Sequence, residues 1–93
     1  MADLNSSDNE TLLVFPCHFP LKVMGETHDD FAVEITKVIK IHQPNFDTNL
    51  IDMRGSAGGK YISLTCLVHV TSKLQLDNIY RALSSHPMVK VVL

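Results

Sequence analysis

Apolar and polar positions in this chain of 93 residues follow two periods in turn. Alternation with a period of two predicts four strands, at residues 21–24, 48–54, 61–70 and 88–93. Apolar residues three or four positions apart predict two helices, one beginning after Thr27 and the other after Ser72. Two strand–helix–strand units in series, joined by a hairpin at the glycine-containing stretch 55–59, are typical of the ferredoxin-like sandwich.

The predicted fold class is therefore α+β, a βαββαβ ferredoxin-like sandwich in which two helices cover one face of a four-stranded antiparallel sheet. Right-handed crossovers place the first and third strands in the centre of that sheet. Residues 11–93 are expected to form a single domain, with the apolar segment 11–15 packed on it as an arm. Residues 1–10 are polar and acidic, which predicts a disordered N-terminal tail.

The third strand and the two helices supply most of the predicted core. Its members are apolar residues that share one face of their element: Phe31, Ile35, Ile39, Ile62, Leu64, Val68, Ile79 and Leu83.

Local signals predict the ends of the elements. Thr27 with Asp30 resembles a capping box for the first helix, and Ser72 with Gln75 forms one for the second. Pro20 delays the first strand, and Gly25 ends it.

Charge and composition narrow the classes of partner. The net charge is −2 and the chain has no run of Lys and Arg, which argues against nucleic acid. Two cysteines do not make a disulfide framework, so a reducing, cytoplasmic location is expected. No stretch reaches the roughly 20 apolar residues of a membrane helix, so no membrane partner is expected. The expected partner is a protein or a small metabolite.

The reactive side chains form no recognisable catalytic or metal-binding motif. The five histidines lack the i, i+4 spacing of a helical zinc site, so neither a metal nor another cofactor is predicted. A metal site formed by histidines that the fold brings together from distant positions stays open. Cys17 and His18 are adjacent on an extended segment and point apart, whereas Cys66 falls on the core face. The stretch 55–60 differs from a phosphate-binding loop because it joins two strands.

Two surfaces are candidates for binding. The corner at Gly25, Thr27 and His28 lies before a helix N-terminus, where a small backbone and hydrogen-bonding side chains suit a small ligand. The alternative interpretation is that Gly25 turns the chain and Thr27 caps the helix. The sheet face away from the helices is expected to pack on a second copy or on the N-terminal arm. Its predicted residues are Lys22, Met24, Tyr61, Ser63, Thr65 and Leu67.

Several segments carry a resemblance to a known family. Phe15-Pro16 with Lys22-Val23-Met24-Gly25, the strand segment 59–65 and the closing stretch 88–93 are similar to the YbeD-like family of small bacterial proteins of unknown function. The resemblance covers roughly residues 12–93. It implies a ferredoxin-like fold related in shape to ACT regulatory domains, which bind amino acids, and it implies no catalytic residues.

These observations together predict a non-enzymatic, cytosolic regulatory or adaptor module that binds a partner protein or a small metabolite. One alternative is a small hydrolase or transferase in which His28 acts with Asp29 or Asp30 as an acid–base pair. Another is nucleic-acid binding. It is the less favoured of the two, because RNA-binding modules of this topology display aromatic residues on their central strands and only Tyr61 does so here.

Overall fold

The computed structural model describes residues 14–93, and its framework is a four-stranded antiparallel sheet. The strands are β1 (Cys17–Glu26), β2 (Ile51–Gly55), β3 (Tyr61–Val70) and β4 (Val91–Val92), and the helices are α1 (Phe31–His42) and α2 (Lys73–Ser84). The order β2-β3-β1-β4 places the first and third strands in the centre, as predicted. The expected tail at 1–10 and residues 11–13 of the expected arm lie outside the described residues.

One hydrophobic core lies between the sheet and both helices. Buried side chains from β1, β3, α1 and α2 form a single cluster, so the two helices cover the same face of the sheet. Seven of the eight predicted core residues are fully buried, and Ile62 is half-buried at the edge of the cluster. Phe46 joins the core from the loop after α1, where no periodic pattern indicated burial.

The strand β1 is longer than predicted. It begins at Cys17 and continues through Pro20 to Glu26, and it pairs with β3 along its whole length. The expectation that Pro20 delays this strand is wrong, because a proline is tolerated where its missing N–H would face an open sheet edge. The expectation that Gly25 ends the strand is wrong as well, since Gly25 pairs with Ile62 inside it.

Pro20 lies on a part of the β1 edge that no strand of residues 14–93 pairs with. Lys22 exchanges main-chain hydrogen bonds of 3.1 and 2.8 Å with Leu93, so the even-numbered residues of β1 direct their main chain toward β4. The ladder between β1 and β4 contains only Val23 and Met24 of β1. The nitrogen of Pro20 therefore faces the same edge, beyond the end of that ladder.

Three other boundaries differ from the prediction. Asp30, and not Thr27, is the N-cap of α1. Residues Thr48–Leu50 form a 3-10 turn, so β2 begins at Ile51. The strand β4 is reduced from 88–93 to Val91–Val92. By contrast α2 begins as predicted, since the Ser72 hydroxyl accepts a hydrogen bond of 3.1 Å from the Gln75 N–H.

Candidate functional site

The sheet face opposite the helices, which we call the open face, carries every residue of the predicted contact surface. Residues paired across neighbouring strands share a face, and those of the open face alternate with the core residues. Neither helix covers this face; within residues 14–93, the loop after α1 and its 3-10 turn lie beside its end at His18, Leu67 and His69. The pairing places these residues on it: His18, Pro20, Lys22, Met24, Asp52, Arg54, Tyr61, Ser63, Thr65, Leu67, His69 and Val91.

Apolar side chains from three strands lie on the open face. Met24 of β1 pairs with Val91 of β4, and Leu67 of β3 pairs with Pro20 of β1. Val91 is 44% exposed and Tyr61 is 40% exposed. Neighbouring exposed apolar groups are a common feature of protein contact surfaces.

Besides the exposed Lys22, the charged side chains on and beside the open face occur as neighbouring opposite charges. Arg54 Nε lies 3.1 Å from Asp52 Oδ2, and at the rim Lys90 Nζ lies 3.9 Å from Glu26 Oε2. Both ion pairs are solvent-exposed and add little stability. They leave the face with little net potential, unlike the positive surfaces that bind phosphate backbones.

The predicted ligand corner contains a cavity of about 240 Å³, lined by Glu26, Thr27, His28, Pro87, Met88 and Lys90. Thr27 and His28 therefore reach one cavity. Gly25 does not, because it is buried behind them. A Cβ at Gly25 would collide with the Met88 carbonyl oxygen and lie 2.6 Å from the Phe31 ring. The space beside this glycine is thus filled by Met88 and Phe31 of the protein, and not left for a ligand.

Two polar groups of the corner are already hydrogen-bonded to the main chain. The Thr27 hydroxyl donates to the Gly59 carbonyl at 2.7 Å instead of capping α1. His28 Nδ1 accepts from the Asp30 N–H at 3.0 Å, so this nitrogen is not bonded to the carboxylate of Asp29 or Asp30. The groups that remain toward the cavity are His28 Nε2 and the exposed Lys90–Glu26 pair.

The two cysteines are not arranged for nucleophilic catalysis. Cys66 is fully buried in the core, and this burial raises the pKa of its thiol to about 11. A thiol with this pKa stays protonated near neutral pH and is a weak nucleophile. Cys17 packs against the core, whereas the adjacent His18 lies on the open face, as the alternation along an extended strand predicts.

The structure brings together two histidines that sequence spacing did not connect. His18 and His69 are direct cross-strand partners, with ring centroids 5.1 Å apart and ring planes tilted by 57°. They lie at a small cavity of about 60 Å³ that Asp47 also lines. Within residues 14–93, no group of three or more His, Cys, Asp or Glu side chains is placed to hold a metal ion. The signal that reveals the pair is the register between β1 and β3. The predicted first strand, residues 21–24, did not include His18 and so could not be aligned with His69.

A larger groove of about 540 Å³ runs between α1 and the edge strand β2. Its lining includes Val33, which is 53% exposed, and Met53, which is 57% exposed, together with Lys37 and Lys40. Sequence reasoning missed this groove because it forms only where β2 and α1, which are separate in sequence, become neighbours. None of the helices in the described part of the chain is long and apolar enough to cross a membrane.

Comparison with known proteins identifies relatives over nearly the whole chain. Residues 10–93 match the family described as Protein of unknown function (DUF493). A UPF0250 protein of Chromobacterium violaceum is 49% identical over 88 residues, which covers 95% of this chain and 99% of the relative. The UPF0250 protein RSc0326 of Ralstonia nicotianae is 47% identical over 97 residues and is matched along both full lengths.

Among solved structures, the solution structure of protein HP0495 from H. pylori matches with a TM-score of 0.68 at 17% sequence identity. The match covers 87% of this chain and 85% of that chain. At this identity the likeness shows the fold alone, and the fold agrees with the predicted ferredoxin-like class. The chain thus belongs to the DUF493 (UPF0250, YbeD-like) family of small bacterial proteins of unknown function, as the resemblance of its segments indicated.

Proposed function

We propose that this protein is a non-enzymatic regulatory or adaptor module that binds a second copy of itself through the open face. One observation carries this proposal. Met24, Leu67 and Val91 are exposed or half-exposed on a sheet face that neither helix of residues 14–93 covers. Sheets normally bury an apolar face against another layer, and a second subunit supplies such a layer.

A second copy fits the open face because its charges are of both signs. A two-fold axis that runs across the strands at the level of Met53 would bring Arg54 of one copy toward Asp52 of the other, and the reverse pair would form by symmetry. A strongly charged partner would gain little from Asp52, Arg54, Glu26 and Lys90, since each of these charges already neighbours its opposite. Self-association therefore suits this face better than an acidic or basic partner does.

Binding, rather than catalysis, is supported by the state of the reactive groups. The Cys66 thiol is buried and protonated, and His28 Nδ1 is bonded to main chain. The hydrolase or transferase alternative requires an acid–base pair of His28 with Asp29 or Asp30, and Nδ1 accepts from the Asp30 N–H instead of pairing with either carboxylate.

Sedimentation velocity on the full chain tests the contact surface. We expect the wild type to sediment as a dimer and the variants Met24→Lys and Leu67→Lys to sediment as monomers, because each buries a charge in the interface. The matched control is Leu74→Lys on α2, where the leucine is 68% exposed away from the open face. Circular dichroism verifies that each variant is folded. A monomeric wild type, or a control as monomeric as the two variants, would refute the proposed surface.

The corner cavity supports a second candidate function, binding of a small zwitterionic metabolite such as an amino acid. Lys90 can meet a carboxylate and Glu26 can meet an ammonium group, while His28 Nε2 adds a hydrogen-bonding position. This pairing of charges in a cavity of about 240 Å³ is the specific observation in its favour.

A thermal-shift screen against free amino acids tests the corner. A ligand at 100 times its dissociation constant stabilises the folded state by about 2.7 kcal/mol, which raises the melting temperature measurably. We expect Lys90→Ala to abolish the shift and Lys40→Ala, a distant exposed lysine, to retain it. A panel without any shift, or a shift unchanged in Lys90→Ala, counts against metabolite binding at this corner.

A further inference from the structure

We propose that His18 and His69 form a chelating pair for a divalent transition-metal ion on the open face. The site is separate from the corner cavity but lies on the open face that the proposed dimer uses, at the Cys17–Val70 end of the β1–β3 ladder, so the assignment is made for the pair in a single chain. It consists of two imidazoles held on adjacent strands, with the remaining coordination positions open to water.

The strand register fixes the two histidines as neighbours. The even-numbered residues of β1 direct their main chain toward β4, as the Lys22–Leu93 hydrogen bonds show. His18 and His69 therefore form a non-hydrogen-bonded pair of the β1–β3 ladder, in which side chains approach most closely. Because both strands are central and long, the backbone positions the pair before a metal arrives.

The separation of the rings matches chelation of a tetrahedral ion. With metal–nitrogen bonds of about 2.0 Å, each ring centroid lies about 3.2 Å from the metal. Two imidazoles at a tetrahedral angle then have centroids about 5.2 Å apart, whereas a right angle brings them to about 4.5 Å. The observed centroid distance is 5.1 Å. The 57° tilt of the ring planes also distinguishes this pair from parallel stacking.

The surroundings leave the pair accessible. His18 is exposed and His69 is half-buried, so an ion can enter from solvent. Asp47 lines the same small cavity, but its Oδ1 already accepts a hydrogen bond of 2.9 Å from the Asn49 N–H. Two imidazoles with open positions suit Zn²⁺, Ni²⁺ or Cu²⁺, since neutral imidazole is a favoured ligand of these ions.

Calorimetric titration of the untagged full chain with zinc chloride, and separately with nickel chloride, tests the site. We expect one ion per chain, and we expect His18→Ala and His69→Ala each to weaken binding on the order of tenfold or more, because the chelate is lost. The matched control is His42→Ala, a histidine at the end of α1 that should leave the affinity unchanged. Shifts of the His18 and His69 imidazole resonances on zinc addition give a second readout that does not depend on any variant folding.

Three outcomes would overturn the assignment. The first is an absence of binding heat and of resonance shifts with both metals. The second is an unchanged affinity in His18→Ala or His69→Ala when circular dichroism shows a folded variant. The third is a loss of binding in Cys17→Ser equal to that in the histidine variants, which would place the metal on the opposite side of β1.

Discussion

Gly25 lies where β1, the first turn of α1 and the loop before β4 meet. Phe31, the first residue of α1, and the Met88 carbonyl both occupy the space that a Cβ on Gly25 would need. Gly25 itself is buried and paired with Ile62. The glycine is therefore required by packing within the domain, on the side of the sheet that faces the helices.

We expect Gly25→Ala to destabilise the protein by about 1–3 kcal/mol, because the main chain at Met88 must move to admit a methyl group. Chemical denaturation followed by circular dichroism measures this free energy of unfolding. The matched control is Gly58→Ala in the hairpin, where no atom lies within 4 Å of an added Cβ. An equal loss of stability in both variants, or none in either, would contradict this account of Gly25.

Single residues were recognised from the sequence more easily than their partners were. Thr27 was identified as polar and close to a helix start, but its hydroxyl bonds to Gly59, which is 32 positions away along the chain. His18 was placed on an extended segment, but its partner His69 becomes evident only when two strands are aligned. Local patterns cannot supply such contacts, because they depend on register and on how the hairpin folds back.

At the scale of elements, the start of α2 is joined to the end of α1 through Gln75. Its Oε1 accepts from the Thr71 N–H at 2.7 Å, and its Nε2 donates to the His42 carbonyl at 2.8 Å. The second bond satisfies a carbonyl at the C-terminus of α1 that lacks a helical partner. Of the two hydrogen bonds of the predicted capping box, the one from the Gln75 N–H to the Ser72 hydroxyl is present. The Gln75 side chain bonds to the Thr71 N–H instead of the Ser72 N–H, and it also bonds to the other helix.

We expect Ser72→Ala to lower the free energy of unfolding by about 1 kcal/mol, because the Gln75 N–H loses its acceptor. Thermal or chemical denaturation measures the change. Ser84→Ala, at the exposed last residue of the same helix, is the control and should be neutral or slightly stabilising, since alanine is the better helix former. A stability loss in Ser84→Ala as large as that in Ser72→Ala would argue against a capping role.

The strand with the strongest alternation, β3, was predicted with both of its ends, and the strands whose bounds depend on pairing were not. Alternation along β3 gave both of its bounds, Tyr61 and Val70. The length of β1 is instead set by the ten residues of β3 that it accompanies, which outweighs the proline within it. The strand β4 is short because only two of its residues continue the ladder on β1.

At the scale of the whole molecule, the order of elements and the handedness of crossovers were sufficient for the fold. The candidate contact surface also followed, because alternate residues of a predicted strand share a face. The groove between α1 and β2 and the histidine pair did not follow. Both arise where elements distant in sequence become neighbours, at Met53 beside α1 and at His69 beside β1.

The position of Pro20 has a consequence for how copies of this protein can associate. An uncovered strand edge is a template on which further strands can add without limit, and fibrous aggregates grow in this way. A prolyl nitrogen directed outward at that edge withholds one donor from any incoming strand. Addition of a strand along this part of β1 is thereby disfavoured, whereas contacts between side chains of the open face need no free main-chain donor and can stop at a defined number of subunits.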